Sequence, residues 1–246
     1  MSLTFDVRES PNHDARPPGG PVDILLLHYT GMRTGEAALQ RLCDPDAKVS
    51  SHWFVHEGGE IVRLVDEDRR AWHAGVSCWA GETDINARSI GIEIVNPGHQ
   101  FGYRDFPEAQ IDAVIALCGD ILSRHAIPAE RVLAHSDVAP GRKQDPGERF
   151  PWHRLHAAGI GHWVPPTPIV AGSVMGAGDR GEGVSALQRD LARYGYGIGQ
   201  GGDYDPQMVD VVTAFQRHFR PERVDGITDF STRDTLDRLL IARSSR

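Results

Sequence analysis

The stretch Val22-Asp23-Ile24-Leu25-Leu26-Leu27-His28 is short and aliphatic at its centre, and Pro17-Pro18-Gly19-Gly20-Pro21 bounds it upstream. That is the pattern of a buried strand, with a histidine at its carboxyl end. Ser89-Ile90-Gly91-Ile92-Glu93-Ile94-Val95 repeats the pattern, is closed by Asn96-Pro97-Gly98, and sets one carboxylate inside the apolar run. Arg131 to Ala134 gives a third strand, ending in His135. Between the first two, a short helical pattern runs through Ala37, Ala38 and Leu42, and two alternating runs, His52 to His56 and Ile61 to Val65, meet at Gly58-Gly59 as a hairpin. From Pro107, Ile111, Val114, Ile115, Cys118, Ile121 and Leu122 recur at helical spacing, with the proline near the first turn. Strands alternating with helices predict an α/β fold with a mixed β-sheet flanked by helices.

The chain has 246 residues, room for one large domain or two modest ones at about 100 to 200 residues each. Hydrophobic residues at 40% and charged residues at 24% are globular proportions. Lys and Arg number 26 against 34 Asp and Glu, a formal charge of -8, which argues against nucleic acid or an anionic membrane as the main partner. The longest aliphatic run, Ile24 to Leu27, falls far short of the ~20 residues of a membrane span. Met1 to Asp14 is acidic and lacks the apolar core of a secretory signal. Cys43, Cys78 and Cys118 suit neither a disulfide framework nor a zinc knuckle. Both features favour the cytoplasm.

Residues 164–182 are rich in proline and glycine, with little that could build a core. They read as a linker between residues 1–163 and a small helical domain at 183–246. Within the latter, Ser185-Ala186-Leu187-Gln188-Arg189 is echoed by Thr213-Ala214-Phe215-Gln216-Arg217, and Ser231 to Leu240 supplies a third helix. Such a linker predicts two bodies able to act separately, so a cut after about Pro165 is expected to leave a folded first domain.

Open α/β sheets gather functional groups at the carboxyl ends of their strands, where His28, Glu93 and His135 could meet. Lys143 and Asp145, two apart, project to one side if their loop is extended. Two imidazoles, a carboxylate and an open fourth position are the ingredients of a catalytic zinc site, in which water is acidified to a pKa of ~7. The pattern leaves open which carboxylate would bind metal, and a histidine ending a strand can simply be satisfied by hydrogen bonds.

Five segments in order, Leu27-His28-Tyr29-Thr30, Ser51-His52-Trp53-Phe54-Val55, Ala71-Trp72-His73-Ala74-Gly75, Ser89-Ile90-Gly91-Ile92-Glu93 and the run from His135 to Gly147, resemble the zinc-dependent N-acetylmuramoyl-L-alanine amidases of the type 2 amidase family. The likeness spans roughly residues 10 to 160. It implies the sheet of the amidase and peptidoglycan-recognition fold, zinc held by His28, His135 and Asp145, Glu93 as general base, and Lys143 stabilising the oxyanion. His52, Trp72, His73 and Asn86 become candidates for lining the substrate cleft; the plainer alternative is that Trp72 packs as core and His52 ends a hairpin strand. His56, His99, His125 and His162 belong to no motif and read as surface or core. The run from Val184 to Leu191, Tyr194-Gly195-Tyr196, Val212 to Gln216, Val224-Asp225-Gly226 and Thr232 to Leu240 resemble a three-helix peptidoglycan-binding module, with Asp229-Phe230 where a glycine is usual.

The implied activity is hydrolysis of the amide joining N-acetylmuramic acid to the L-alanine of the stem peptide, on intact wall or on soluble anhydro-muropeptide. A wall-binding module makes the envelope the alternative compartment. Two rival classes are a non-catalytic peptidoglycan recognition protein, which the full ligand set disfavours, and a cysteine peptidase built on Cys78 near His73. Gly197, Gly199 and Gly202 match G-x-G-x-x-G but follow a helix rather than a strand, so a dinucleotide site is rejected.

Overall fold

Ile24, Leu25, Leu26 and Leu27 expose no surface at all, the condition of a strand covered on both faces. The computed structural model describes residues 3–244. In chain order the strands are β1 (Asp6–Val7), β2 (His13–Ala15), β3 (Ile24–Tyr29), β4 (Trp53–Val55), β5 (Ile61–Arg63), β6 (Arg69–Ala71), β7 (Ser89–Ile94) and β8 (Val132–Ala134). The α-helices are α1 (Gly35–Cys43), α2 (Ile85–Arg88), α3 (Gly98–Phe101), α4 (Glu108–Arg124), α5 (His135–Val138), α6 (Trp152–Ala157), α7 (Glu182–Tyr194), α8 (Pro206–Phe219) and α9 (Phe230–Ser244). The mixed sheet runs β1-β5-β4-β7-β3-β8. Its pairings are parallel except the β4–β5 hairpin, while β2 and β6 form a separate antiparallel ribbon.

Alternation along β3 decides what each face meets. Leu25 and Leu27 join Ile90, Ile92 and Ile94 of β7 and the buried stripe Ile111, Val114, Leu117, Cys118 and Ile121 of α4 in one apolar cluster. Ile24 and Leu26 point the other way and share a second cluster with Leu133, Leu187 and Leu191 of α7, Val211 and Phe215 of α8, and Leu236 and Leu239 of α9. His28, next in that alternation, lies on the face of the helical unit, and Glu93, out of phase with the β7 isoleucines, lies there too.

The helical unit explains its own sequence echo. Gln188 Nε2 donates to the Asp203 carbonyl and its Oε1 accepts from Gly202 N. Gln216 does the same one repeat later, donating to the Ile227 carbonyl and accepting from the amides of Asp225 and Gly226. Each repeated glutamine, buried on its helix, satisfies the backbone of a loop further along the chain.

Residues 164–182 lack regular structure up to α7, as their composition predicts, but they do not hang free. Thr167 N donates to Thr235 Oγ1, Ser231 Oγ donates to the Thr167 carbonyl, and Met175 bridges Thr228. The two units also share packing: α7 to α9 belong to one apolar cluster with the residues on that face of the sheet. Ile24, Leu26, Leu133 and Trp79 are at most 2% exposed within that cluster.

Two local differences bear on the site. His135 does not end a strand; it opens α5, and the loop to Gly147 begins with that helical turn. The ribbon of β2 and β6 has too few residues and too little apolar content to announce itself in sequence.

Candidate active site

The sheet register sets His28 directly opposite Glu93, and Leu27 opposite Ala134, the residue before His135. Ser136 N donates to the Asp145 carbonyl at 3.0 Å, folding the loop back so that Asp145 meets both histidines. His28 Nδ1 lies 2.8 Å from His135 Nδ1, and Asp145 Oδ2 lies 3.1 Å from the first and 2.9 Å from the second. All three residues are buried.

Their outer contacts fix the tautomers. His135 Nε2 faces the Ala74 carbonyl at 3.0 Å, an acceptor, so Nε2 carries the hydrogen and Nδ1 is bare. Ser89 Oγ gives its proton to the Ile85 carbonyl at 2.7 Å and so accepts from His73 Nε2 at 3.3 Å. His73 Nδ1 in turn accepts from His28 Nε2 at 3.0 Å. Two imidazole lone pairs and a carboxylate oxygen therefore converge with no hydrogen between them, a donor set that fits a cation. Burial first, and His135 second, push the His28 pKa down to about 4, so protonation is a poor substitute. Burial works to raise Asp145, but His135 and His28 outweigh it and hold its carboxyl below the usual range.

Beside this cluster opens a cavity of about 710 Å³ whose walls include His73, Glu93, His135, Lys143 and Asp145. Glu93 Oε2 is sealed from solvent and has no hydrogen-bond partner among the described residues. Burial, reinforced by the Asp145 carboxylate and opposed by Lys143, raises the Glu93 pKa well above the ordinary glutamate value. Lys143 is half-buried. Its neighbour Arg142 clasps the carbonyls of Ala74 at 2.5 Å and Val76 at 2.7 Å, steadying the segment that orients His135.

Of the four cleft candidates, His73 alone lines the cavity. His52 is fully buried: its Nδ1 accepts from Gly91 N at 2.9 Å and its Nε2 donates to the Arg69 carbonyl at 3.0 Å. Trp72 is half-buried and donates from Nε1 to Asp14 Oδ2. Asn86 Oδ1 accepts from the amides of His73 and Ala74, so it shapes the segment behind the site. His99, set aside for want of a motif, does line the cavity, together with Tyr29 and Arg41. Its Nδ1 lies 3.0 Å from the Tyr29 hydroxyl and its Nε2 3.0 Å from Glu148 Oε2. Its position after the Asn96-Pro97-Gly98 turn, at the carboxyl end of the Glu93 strand, was the signal available. Cys78 turns its sulfur toward Gly197 of the helical unit and does not line the cavity, which removes the thiol nucleophile.

Comparison with known proteins follows the same division of the chain. Residues 18–148 match the N-acetylmuramoyl-L-alanine amidase family, and residues 180–236 match a peptidoglycan binding domain. The N-acetylmuramoyl-L-alanine amidase AmiD of Escherichia coli K12 is 39% identical over 236 residues, covering 89% of this chain and 82% of its own. The 1,6-anhydro-N-acetylmuramyl-L-alanine amidase AmpD of Enterobacter cloacae is 34% identical over 165 residues, covering 60% of this chain and 86% of its own. The solved E. coli AmiD complex with the substrate anhydro-N-acetylmuramic acid-L-Ala-D-gamma-Glu-L-Lys superposes with a TM-score of 0.77 at 35% identity, covering 92% of both chains.

Proposed function

The chain belongs to the N-acetylmuramoyl-L-alanine amidase family, and on that footing we propose how its site performs the reaction. The protein hydrolyses the amide between N-acetylmuramic acid and the L-alanine of the peptidoglycan stem peptide. His28, His135 and Asp145 would hold the metal, and two neutral imidazoles with one carboxylate and an open side suit zinc. Bound there, zinc supplies a Lewis acid for the scissile carbonyl and for water. Glu93 takes the proton of the attacking water and delivers it to the departing alanine nitrogen, a task suited to a carboxyl whose affinity for protons is raised. The Lys143 ammonium faces the negative charge that grows on the carbonyl oxygen. His73 holds the His28 ring and, as part of the cavity wall, also borders the substrate.

The observation that carries this reading is the unpartnered Glu93 carboxylate, opposite His28 in the register and beside the converging donor set. Soluble anhydro-muropeptide is the favoured substrate, supported by the substrate in the E. coli AmiD complex and by the name of the Enterobacter relative. Residues 1–163 supply the chemistry, 164–182 connect, and 183–246 add affinity for the wall, a division supported by the two family matches. No helix among the described residues is long and apolar enough to cross a membrane. Cell fractionation distinguishes the cytoplasm, expected from the sequence, from the envelope. Mass analysis of products from anhydro-muropeptide and from sacculi, side by side, tests the reaction. A peptide beginning with L-alanine is expected from both, with the freed anhydro sugar from muropeptide and a peptide-stripped glycan strand from sacculi, and cleavage within the peptide would overturn the reading.

A further inference from the structure

Asp137 follows His135 by two residues and exposes no surface. A carboxylate so placed is costly unless fully hydrogen-bonded. It has three donors. Oδ2 accepts from Ala134 N at 2.8 Å, closing the turn that starts α5, and from His218 Nδ1 at 2.6 Å. Oδ1 accepts from the Tyr196 hydroxyl at 2.7 Å. Two of the three come from the helical unit. The His218 ring is itself clamped, stacked at 3.8 Å on Trp152.

A second hold reaches the other side of His135. The segment whose Ala74 carbonyl accepts from His135 Nε2 continues to Cys78, whose N donates to the Val138 carbonyl of α5 at 2.8 Å. Next comes Trp79, buried with its ring edge-on to Tyr196 at 5.0 Å. Ala80 N donates to the Gly195 carbonyl at 2.7 Å. Gly195 runs so close that a Cβ there would stand 2.5 Å from the Trp79 ring, so the contact is shaped for glycine. The helix bearing His135 and the carbonyl that fixes its tautomer thus hang from one small region of the helical unit.

We propose that the helical unit positions the metal site, with Asp137, Tyr196 and His218 as positioning residues that keep His135 Nδ1 aimed at the point shared with His28 and Asp145. This role is additional to any affinity for the wall, and it rests on the reading of those three residues as metal ligands.

The test uses the full chain, stripped of metal and titrated with zinc against a competing chelator, for the wild type, Tyr196→Phe, His218→Ala and His218→Asn. Zinc affinity is expected to fall about tenfold in His218→Ala and in Tyr196→Phe, in the range seen when outer contacts of a ligand are removed. His218→Asn restores an N–H near the Nδ1 position, and with it most of the affinity. In zinc-saturated enzyme on soluble muropeptide, kcat falls while KM stays. Gln216→Ala, which frees a loop not involved with Asp137, lowers the melting temperature and leaves zinc affinity unchanged. Wild-type affinity in folded His218→Ala and Tyr196→Phe would overturn the proposal alone, as would an equal loss in Gln216→Ala. A wild-type chain that takes up no zinc would overturn the ligand reading, and this proposal with it.

Discussion

The rings of His28 and His73 meet edge to face at 89°, with His28 Nε2 3.0 Å from His73 Nδ1, so the second ring decides which nitrogen of the first carries hydrogen. Gly91 makes room for this pairing, since a Cβ there would sit 2.6 Å from His73 Nδ1. His73→Ala and Gly91→Ala are expected to weaken zinc binding by about 10- to 100-fold, measured by chelator competition on the folded variants. Undiminished affinity in both would show that His28 is oriented by something else.

Removal of metal should abolish hydrolysis and leave the sheet folded, because the core clusters are apolar and do not include the ligands. Plasma mass spectrometry of the protein as purified should find about one zinc per chain, the stoichiometry of a mononuclear site. Asp145→Ala should lose it, and added zinc should restore activity to the stripped wild type alone. Retention of zinc by both His28→Ala and Asp145→Ala would place the metal elsewhere.

Glu93→Gln is expected to keep zinc and lose about 100-fold or more in kcat. It should also stabilise the metal-free chain. The folded-state pKa of Glu93 is raised, chiefly by burial, so the folded chain binds the extra proton over the interval above the ordinary glutamate value, and stability falls as pH rises through it. Glutamine has no such proton to lose. Thermal melts of both metal-free proteins at neutral pH should show the variant higher by a few degrees, and an unchanged or lower melting point would contradict the burial argument.

His52 yields the opposite dependence. Burial first, and Arg16 second, press its pKa down to about 3. The unfolded chain titrates it near ~6.5, so its contribution is complete above that value and is lost as pH falls toward 3, by at most ~1.4 kcal/mol per unit. His52→Asn should be less stable at neutral pH, with a melting temperature that declines less between pH 6 and 4. Its KM should match that of the wild type. A raised KM with normal stability would return His52 to the substrate cleft.

The strands that carry His28 and Glu93 were legible because they are short, aliphatic and sharply bounded, and α4 because its apolar residues keep one stripe. The convergence of His28, His135 and Asp145 beside Glu93 was legible because five separated segments coincide. His99 was not, since its four-residue helix α3 is too short to carry a periodic signal and its ring gains meaning only when Tyr29 and Glu148 arrive from elsewhere. β1 was invisible for a related reason, being two exposed residues defined by pairing with β5. The docking of the helical unit was hidden more deeply. A strand covered on both faces reads as the same aliphatic run whatever covers it, so nothing in Ile24-Leu25-Leu26-Leu27 says that the cluster on one of its faces extends to α7 to α9.

That shared face orders events during synthesis. β3 leaves the ribosome early, yet the apolar cluster that Ile24 and Leu26 belong to reaches α9, which ends at Ser244. Until nearly the whole polypeptide has emerged that cluster stays incomplete, and Trp79, whose ring meets Tyr194 and Tyr196 in the finished fold, adds to the exposed apolar surface that chaperones recognise and that promotes aggregation. A product cut short by a nonsense codon or a protease inherits the same incomplete cluster, with Trp79 stripped of Tyr194 and Tyr196.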